Sequence, residues 1–214
     1  PKVFFRFGVV LYTDTAVTSC IENCDTEKVE FQLLTKRKGT IKSFLSDSCY
    51  SKGGFDGLED WASGYKYLLN TIEWDNNSEK IVIHIADAPA HGNSFIGINF
   101  YKIPMFNRTN SKSANQSQYS NIQEIEEEKL IKLIEKAATK GILFCCLNLN
   151  KYATNSFNVA KDLYMKKNGT EFIIQNHFKE LDYDTLEDFV CNSVSSCFNK
   201  ARRMRRLLIE KATN

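Results

Sequence analysis

Two acidic stretches hold the residue types that could do chemistry in this chain. One is Gly53-Gly54-Phe55-Asp56-Gly57-Leu58-Glu59-Asp60; the other is Ile85-Ala86-Asp87-Ala88-Pro89-Ala90-His91-Gly92. Carboxylate oxygens are hard donors, suited to magnesium or calcium. Asp87 follows Ile81, Val82, Ile83 and Ile85, an apolar run that fits a strand buried on both faces of a parallel sheet. Open α/β sheets place their ligand crevice just beyond the carboxyl ends of such strands. If the two loops converge on one sheet edge, Asp56 and Asp87 are candidate metal ligands.

Simpler roles compete with that reading. Asp56-x-x-Glu59 has capping-box spacing ahead of a helix expected to start near Leu58, so Asp56 is equally an N-cap, and it could do both. Glu59 reads as a cap partner, because acids in a first turn favour the helix dipole. Asp87 could bond a turn, but an unpaired carboxylate after a buried strand is costly, which favours the metal. Asp14 reads as turn chemistry at a strand end. His84, inside the strand, reads as a satisfied core histidine, and His91 as an exposed loop histidine.

Catalytic signatures are absent. Gly53-Gly54-x-Asp56-Gly57 is glycine-rich before a helix, as phosphate cradles are, but lacks Gly-x-x-x-x-Gly-Lys-Ser/Thr and Gly-x-Gly-x-x-Gly. Its acids would repel phosphate unless a metal intervenes. No Gly-x-Ser-x-Gly occurs, and no nucleophile sits beside a base at a telling spacing. Metal-assisted hydrolysis of a phosphoester by Asp56, Asp87 and Asp14 is the enzyme reading left open.

The elements that must position these residues follow a regular order. Strands are expected at 3–12, 29–35, 79–87, 142–148 and 172–175. Helices are expected at 40–49, 58–71, 122–140 and 156–167, the last capped by Ser156, with a long terminal helix from Thr185 to about Lys211. In the 122–140 helix, Ile125, Leu130, Leu133, Ile134 and Ala137 form the apolar stripe. Residues 94–121 are polar and rich in Asn and Ser, and read as a long loop. Strands alternating with helices imply a mostly parallel sheet covered on both faces, an α/β Rossmann-like architecture. With no internal repeat, residues 1–214 are read as one domain.

Composition excludes more than it assigns. The 214 residues are 43% hydrophobic and 25% charged, with formal net charge +2, so no global field points to nucleic acid. No apolar run reaches the roughly 18 residues of a transmembrane helix. Arg202, Arg203, Arg205 and Arg206 read as a solvated face near a helix end. Seven cysteines, with no Cys-x-x-Cys pair, fit reduced thiols and a cytoplasmic protein, and Cys145-Cys146 reads as part of a buried strand. Four Asn-x-Ser/Thr sequons, starting at Asn76, Asn107, Asn115 and Asn168, are expected by chance in so Asn-rich a chain. The chain opens at Pro1 with no initiator Met and is read as part of a longer polypeptide.

Three stretches taken together carry a family likeness: Arg6-Phe7-Gly8-Val9-Val10-Leu11-Tyr12-Thr13-Asp14, the Gly-Gly-x-Asp-x-x-Glu-Asp loop at 53–60, and Ile-Ala-Asp-Ala-Pro-Ala-His-Gly at 85–92. They resemble von Willebrand factor A-type domains, especially the branch joined to alpha-type protein kinases in protists. The resemblance implies a doubly wound Rossmann-like sheet with a metal-ion-dependent adhesion site at its carboxyl edge. That site usually holds magnesium, with manganese or calcium as substitutes, and an acidic residue of a protein partner completes the ion's coordination. By position, Asp87 matches the family's late-strand aspartate, and Asp56 falls near its loop threonine.

One departure is large. The family's opening strand, central in the sheet, ends in Asp-x-Ser-x-Ser, and no such string occurs here. The first strand of this chain matches the family's second. A missing central strand would leave unpaired backbone groups, so an upstream segment or another chain is expected to complete the sheet. Metal affinity should be weak without it. The resulting expectation is a non-catalytic protein-binding module of a larger protein, with any kinase domain outside these residues. The alternatives are the hydrolase and a purely structural domain with a degenerate metal site.

Overall fold

The computed structural model describes residues 6–12, 30–36, 38–48, 57–97, 115–179, 182, 184–196 and 199. Two sheets form. Strands β1 (Phe7–Leu11) and β2 (Glu30–Thr35) pair antiparallel, with an irregularity between Phe7 and Val9. Strands β3 (Lys80–Ala86), β4 (Ile142–Asn148) and β5 (Phe172–Asn176) form a parallel sheet in the order β3-β4-β5. The expected parallel α/β architecture is therefore present. The first two strands, however, make an antiparallel ladder of their own.

All seven residues of β4 are buried, as its unbroken apolar run requires of a central strand. Alternate side chains go to opposite faces. Val82, Ala86, Phe144, Cys146 and Phe172 meet helices α2 (Trp61–Asn70), α3 (Asn115–Thr139) and α4 (Thr154–Lys166) in the larger core. Ile81, Ile83, Leu143, Cys145 and Leu147 face the other way. They pack on Leu186, Phe189 and Val190 of a helix over 184–196, here α5. Helix α1 (Lys38–Ser48) packs on the β1–β2 ladder.

The larger core is aromatic. Tyr65 and Phe144 stack at 5.5 Å, and Phe144 and Phe172 at 5.2 Å. Tyr164 spans the α4–β5 turn, where its buried hydroxyl donates to the Ile142 carbonyl at 2.5 Å and accepts from Thr170 N at 3.1 Å. Gly169 is needed under that ring, since a Cβ there would fall inside it.

Several boundaries shift. Helix α3 begins at Asn115, within the stretch expected to be loop, while 98–114 lie outside the described residues. Ile125 is 51% exposed and not part of the stripe. It precedes Leu130 by five residues, which is about 140° round a helix. Ser156 is not a cap: α4 starts two residues earlier, after a 3₁₀ turn at Lys151–Ala153 capped by Asn150. Asp14, the arginines at 202–206 and most of the terminal helix lie outside the described residues. Among the described residues, Cys145, Cys146 and Cys191 are free thiols, the first two buried.

Candidate functional site at the carboxyl edge of the parallel sheet

The register aligns Ala86, Asn148 and Asn176 as one row at the carboxyl edge. Asp87 comes next after Ala86, in a bend, and its side chain is exposed. The β4 and β5 ends are tied by the fully buried Asn148. Its amide donates to Thr154 Oγ1 (2.9 Å) and Asn176 Oδ1 (2.8 Å), and its Oδ1 accepts from Asn150 N (3.2 Å).

The two acidic loops do meet. Glu59 N donates to the Pro89 carbonyl (2.8 Å), and His91 N donates to the Glu59 carbonyl (3.3 Å), forming a short parallel bridge between Glu59 and Ala90. The cap of α2 is Asp60: its Oδ1 accepts from Ser63 N at 2.8 Å. Helix α2 therefore starts at Trp61, not near Leu58, and Glu59 lies before the cap instead of in the first turn. Asp56 lies outside the described residues. Burial pushes the Asp60 carboxyl above the ordinary range, with Glu126 adding to the rise and Ser63 and His91 opposing it.

The loop after Asp87 is clamped from two sides. From α4, Ser156 Oγ accepts from Ala90 N (3.0 Å) and donates to the Phe95 carbonyl (2.9 Å). Asn155 Nδ2 donates to the Ser94 and Phe95 carbonyls. From α3, Gln123 Oε1 accepts from Gly92 N (2.6 Å), Gln123 Nε2 bonds His91 Nδ1 (2.8 Å), and Glu127 accepts from Ser94 N (3.2 Å). His91 is only 3% exposed, so it is a buried loop residue and not the exposed one expected. Gly92 has φ +118°, and a Cβ there would lie 2.8 Å from Glu127 Cβ; both facts demand glycine.

Gln123, and the loop-holding role of Ser156 in place of the expected cap, are what sequence reasoning missed. Gln123 lies seven residues before Leu130, on the same helix face, so the stripe continues upstream with polar residues. Those polar residues meet loop backbone instead of apolar side chains.

His84 is satisfied as expected. Its Nε2 is 2.7 Å from the Tyr12 hydroxyl and its Nδ1 is 3.4 Å from the Tyr65 hydroxyl, with the Trp61 ring edge-on at 4.4 Å. Burial lowers its pKa to about 3. Tyr12 is pushed up by burial and then by the nearby charges of Glu59 and Asp87, which puts the end of β1 beside the same edge. Among the described residues, the buried Trp61 Nε1 has no hydrogen-bond partner.

Among the described residues, no three His, Cys, Asp or Glu side chains are grouped so as to hold a metal ion. Asp87 is exposed just past the end of β3, Glu59 on the facing loop is half-buried, and Asp60 is committed to its cap. These carboxylates are not grouped as a donor set for magnesium. No described helix is long and apolar enough to cross a membrane.

No protein-family model matches the chain. Over 90 residues, 42% of the chain, it is 38% identical to the alpha-protein kinase vwkA of Dictyostelium discoideum. That stretch spans 13% of the kinase's length, so the likeness is to one part of a much larger protein.

Proposed function

We propose that this chain is a non-catalytic protein-interaction module of a larger, cytoplasmic polypeptide, related to von Willebrand factor A-type domains. Its contact surface is the carboxyl edge of the β3-β4-β5 sheet. The observation that carries the reading is the exposed Asp87 at the end of β3, on a loop held by buried polar bonds from α3 and α4. Rigid loops over a sheet edge are how α/β folds build binding surfaces. The partial likeness to an alpha-kinase chain is consistent with a module appended to a catalytic protein.

The finer form of the proposal is recognition bridged by magnesium, with Asp87 and Asp56 as ligands and a partner's Asp or Glu on the ion. A strand contributed by an upstream segment or by another chain completes the sheet beside β3. In support, β3 reads Lys-Ile-Val-Ile-His-Ile-Ala, with none of the prolines, bulges or inward charges that protect edge strands. Trp61 Nε1, next to His84 and without a partner among the described residues, would suit an acceptor on that strand. Hydrolysis is the weaker reading, because His84 and His91 are both buried and engaged by side chains, which leaves the half-buried His177 after β5 as the one remaining histidine for such a role.

Titration with Mn²⁺ read by electron paramagnetic resonance tests the metal. Saturable binding that disappears in Asp87→Ala supports the ion bridge. Binding unaffected by Asp87→Ala removes Asp87 from the site. No binding, even with an upstream strand restored, leaves direct contact or a structural role. Turnover of p-nitrophenyl phosphate lost in Asp87→Ala would favour the hydrolase instead.

A further inference from the structure

We propose that Gln123 and His91 form a proton-sensitive latch, which ties the His91–Gly92 part of the loop to α3 only while His91 Nδ1 carries no proton. This inference is independent of what the edge binds.

Hydrogen-bond bookkeeping leads to it. The Gly92 backbone N–H can only donate, so the Gln123 atom 2.6 Å away must be the carboxamide oxygen. The other end of the carboxamide is then NH₂, which can only donate, and it lies 2.8 Å from His91 Nδ1. Nδ1 must therefore be the bare, accepting nitrogen. Protonating it would set two donors against each other. Flipping the Gln123 carboxamide would restore that bond but turn NH₂ toward the Gly92 N–H, so the conflict only moves. No orientation of Gln123 satisfies both the Gly92 N–H and a charged His91. Gln123 is 1% exposed and His91 3%, so water cannot easily substitute for the lost bond.

Among the described residues, the Asp60 carboxylate at the N-terminus of α2 acts on His91, Glu126 of α3 acts on Asp60, and Glu127 of α3 holds Ser94 N. Glu59, whose carbonyl accepts from His91 N, and Asp87 on the loop itself bring two further carboxylates to this edge. On the α4 side the loop meets the uncharged Asn155 and Ser156. The acids draw a proton toward His91, and the carboxamide opposes it at Nδ1. Acidification thus sets attraction to Asp60 against the Gln123 bond, and the bond gives way. Loop 87–97 then loses its Gln123 attachment to α3, while the Glu127 bond to Ser94 N and the Ser156 and Asn155 bonds from α4 remain.

Gln123→Glu separates this from ordinary acid loosening. A glutamate there accepts from both Gly92 N–H and a protonated Nδ1–H, so the latch closes at either pH. Hydrogen exchange on the whole chain at pH 7.5 and 5.0, corrected for intrinsic rates and referenced to the β4 amides, reads the difference. In the wild type, protection of the Gly92 amide should fall about tenfold at pH 5.0, the equivalent of one hydrogen bond. In Gln123→Glu it should stay within about twofold. Should the glutamate variant fail to fold, His91→Asn keeps an accepting oxygen near Gln123 without titrating and should show the same flat response. Nitrogen-15 spectra of the wild type add a check without mutation: His91 should carry its proton on Nε2 at pH 7.5. Equal pH dependence in wild type and variants, or a protonated Nδ1 at pH 7.5, overturns the latch.

Discussion

The Tyr12 hydroxyl sits 2.7 Å from His84 Nε2 although β1 and β3 belong to different sheets. A side-chain bond therefore stands where neighbouring strands would share a backbone ladder. Tyr12 also lies against α2, since a Cβ on Gly64 would be 2.9 Å from its ring. Among the described residues, Tyr12 ties the end of β1 to the larger core.

Removing that hydroxyl should be costly. Tyr12→Phe leaves a buried imidazole nitrogen without its partner, for a loss of about 1–3 kcal/mol. Urea unfolding of Tyr12→Phe, His84→Gln and the double variant reads it. The effects of the two substitutions should be clearly non-additive, as for residues in contact. Additive losses would show that the pair contributes nothing together.

Acid should destabilise the protein through His84. Its folded pKa is about 3 because of burial, against an ordinary value of about 6.5 in the unfolded chain. The unfolded state therefore takes up a proton first. This contribution to stability is fully present above the unfolded value and is lost as pH falls from there toward the folded one, amounting to a few kcal/mol at most. Denaturation midpoints measured between pH 7 and pH 4 should fall in the wild type and fall less in His84→Gln.

Asp60 should show the opposite sign. Burial raises its pKa, so the folded state favours the protonated acid, and the stability it contributes fades as pH rises through the folded value. Asp60→Asn keeps an accepting cap oxygen for Ser63 N and removes the buried charge. At pH 7 it should match or exceed the wild type in thermal midpoint, whereas Asp60→Ala should lose about 1 kcal/mol with the cap. A large loss in Asp60→Asn would mean that the charge itself is needed.

Local patterning carried much of the fold. Apolar runs located β3 and β4, and the helical period located α2, α3 and α4 to within a few residues except at the start of α3. The place of His84 in the core could be read from its position within the strand. Asp87 at the carboxyl end of β3 was legible for the same reason, since strand periodicity is a property of neighbours in the chain. The cap of α2 was not legible, because the cap motif fits several acids in one loop. Only packing decides which carboxylate reaches an N–H, and the described cap is Asp60.

The sequence by itself determined the order of elements, the buried parallel strands and the candidacy of Asp87. Tertiary structure alone decided that the first two strands form a separate antiparallel ladder, that His91 is buried, and that Gln123 and Ser156 hold its loop. The physical reason is that hydrogen bonds between residues 31 to 72 positions apart leave no periodic trace in the chain. Their donors and acceptors are ordinary polar residues until the fold brings them within 3 Å.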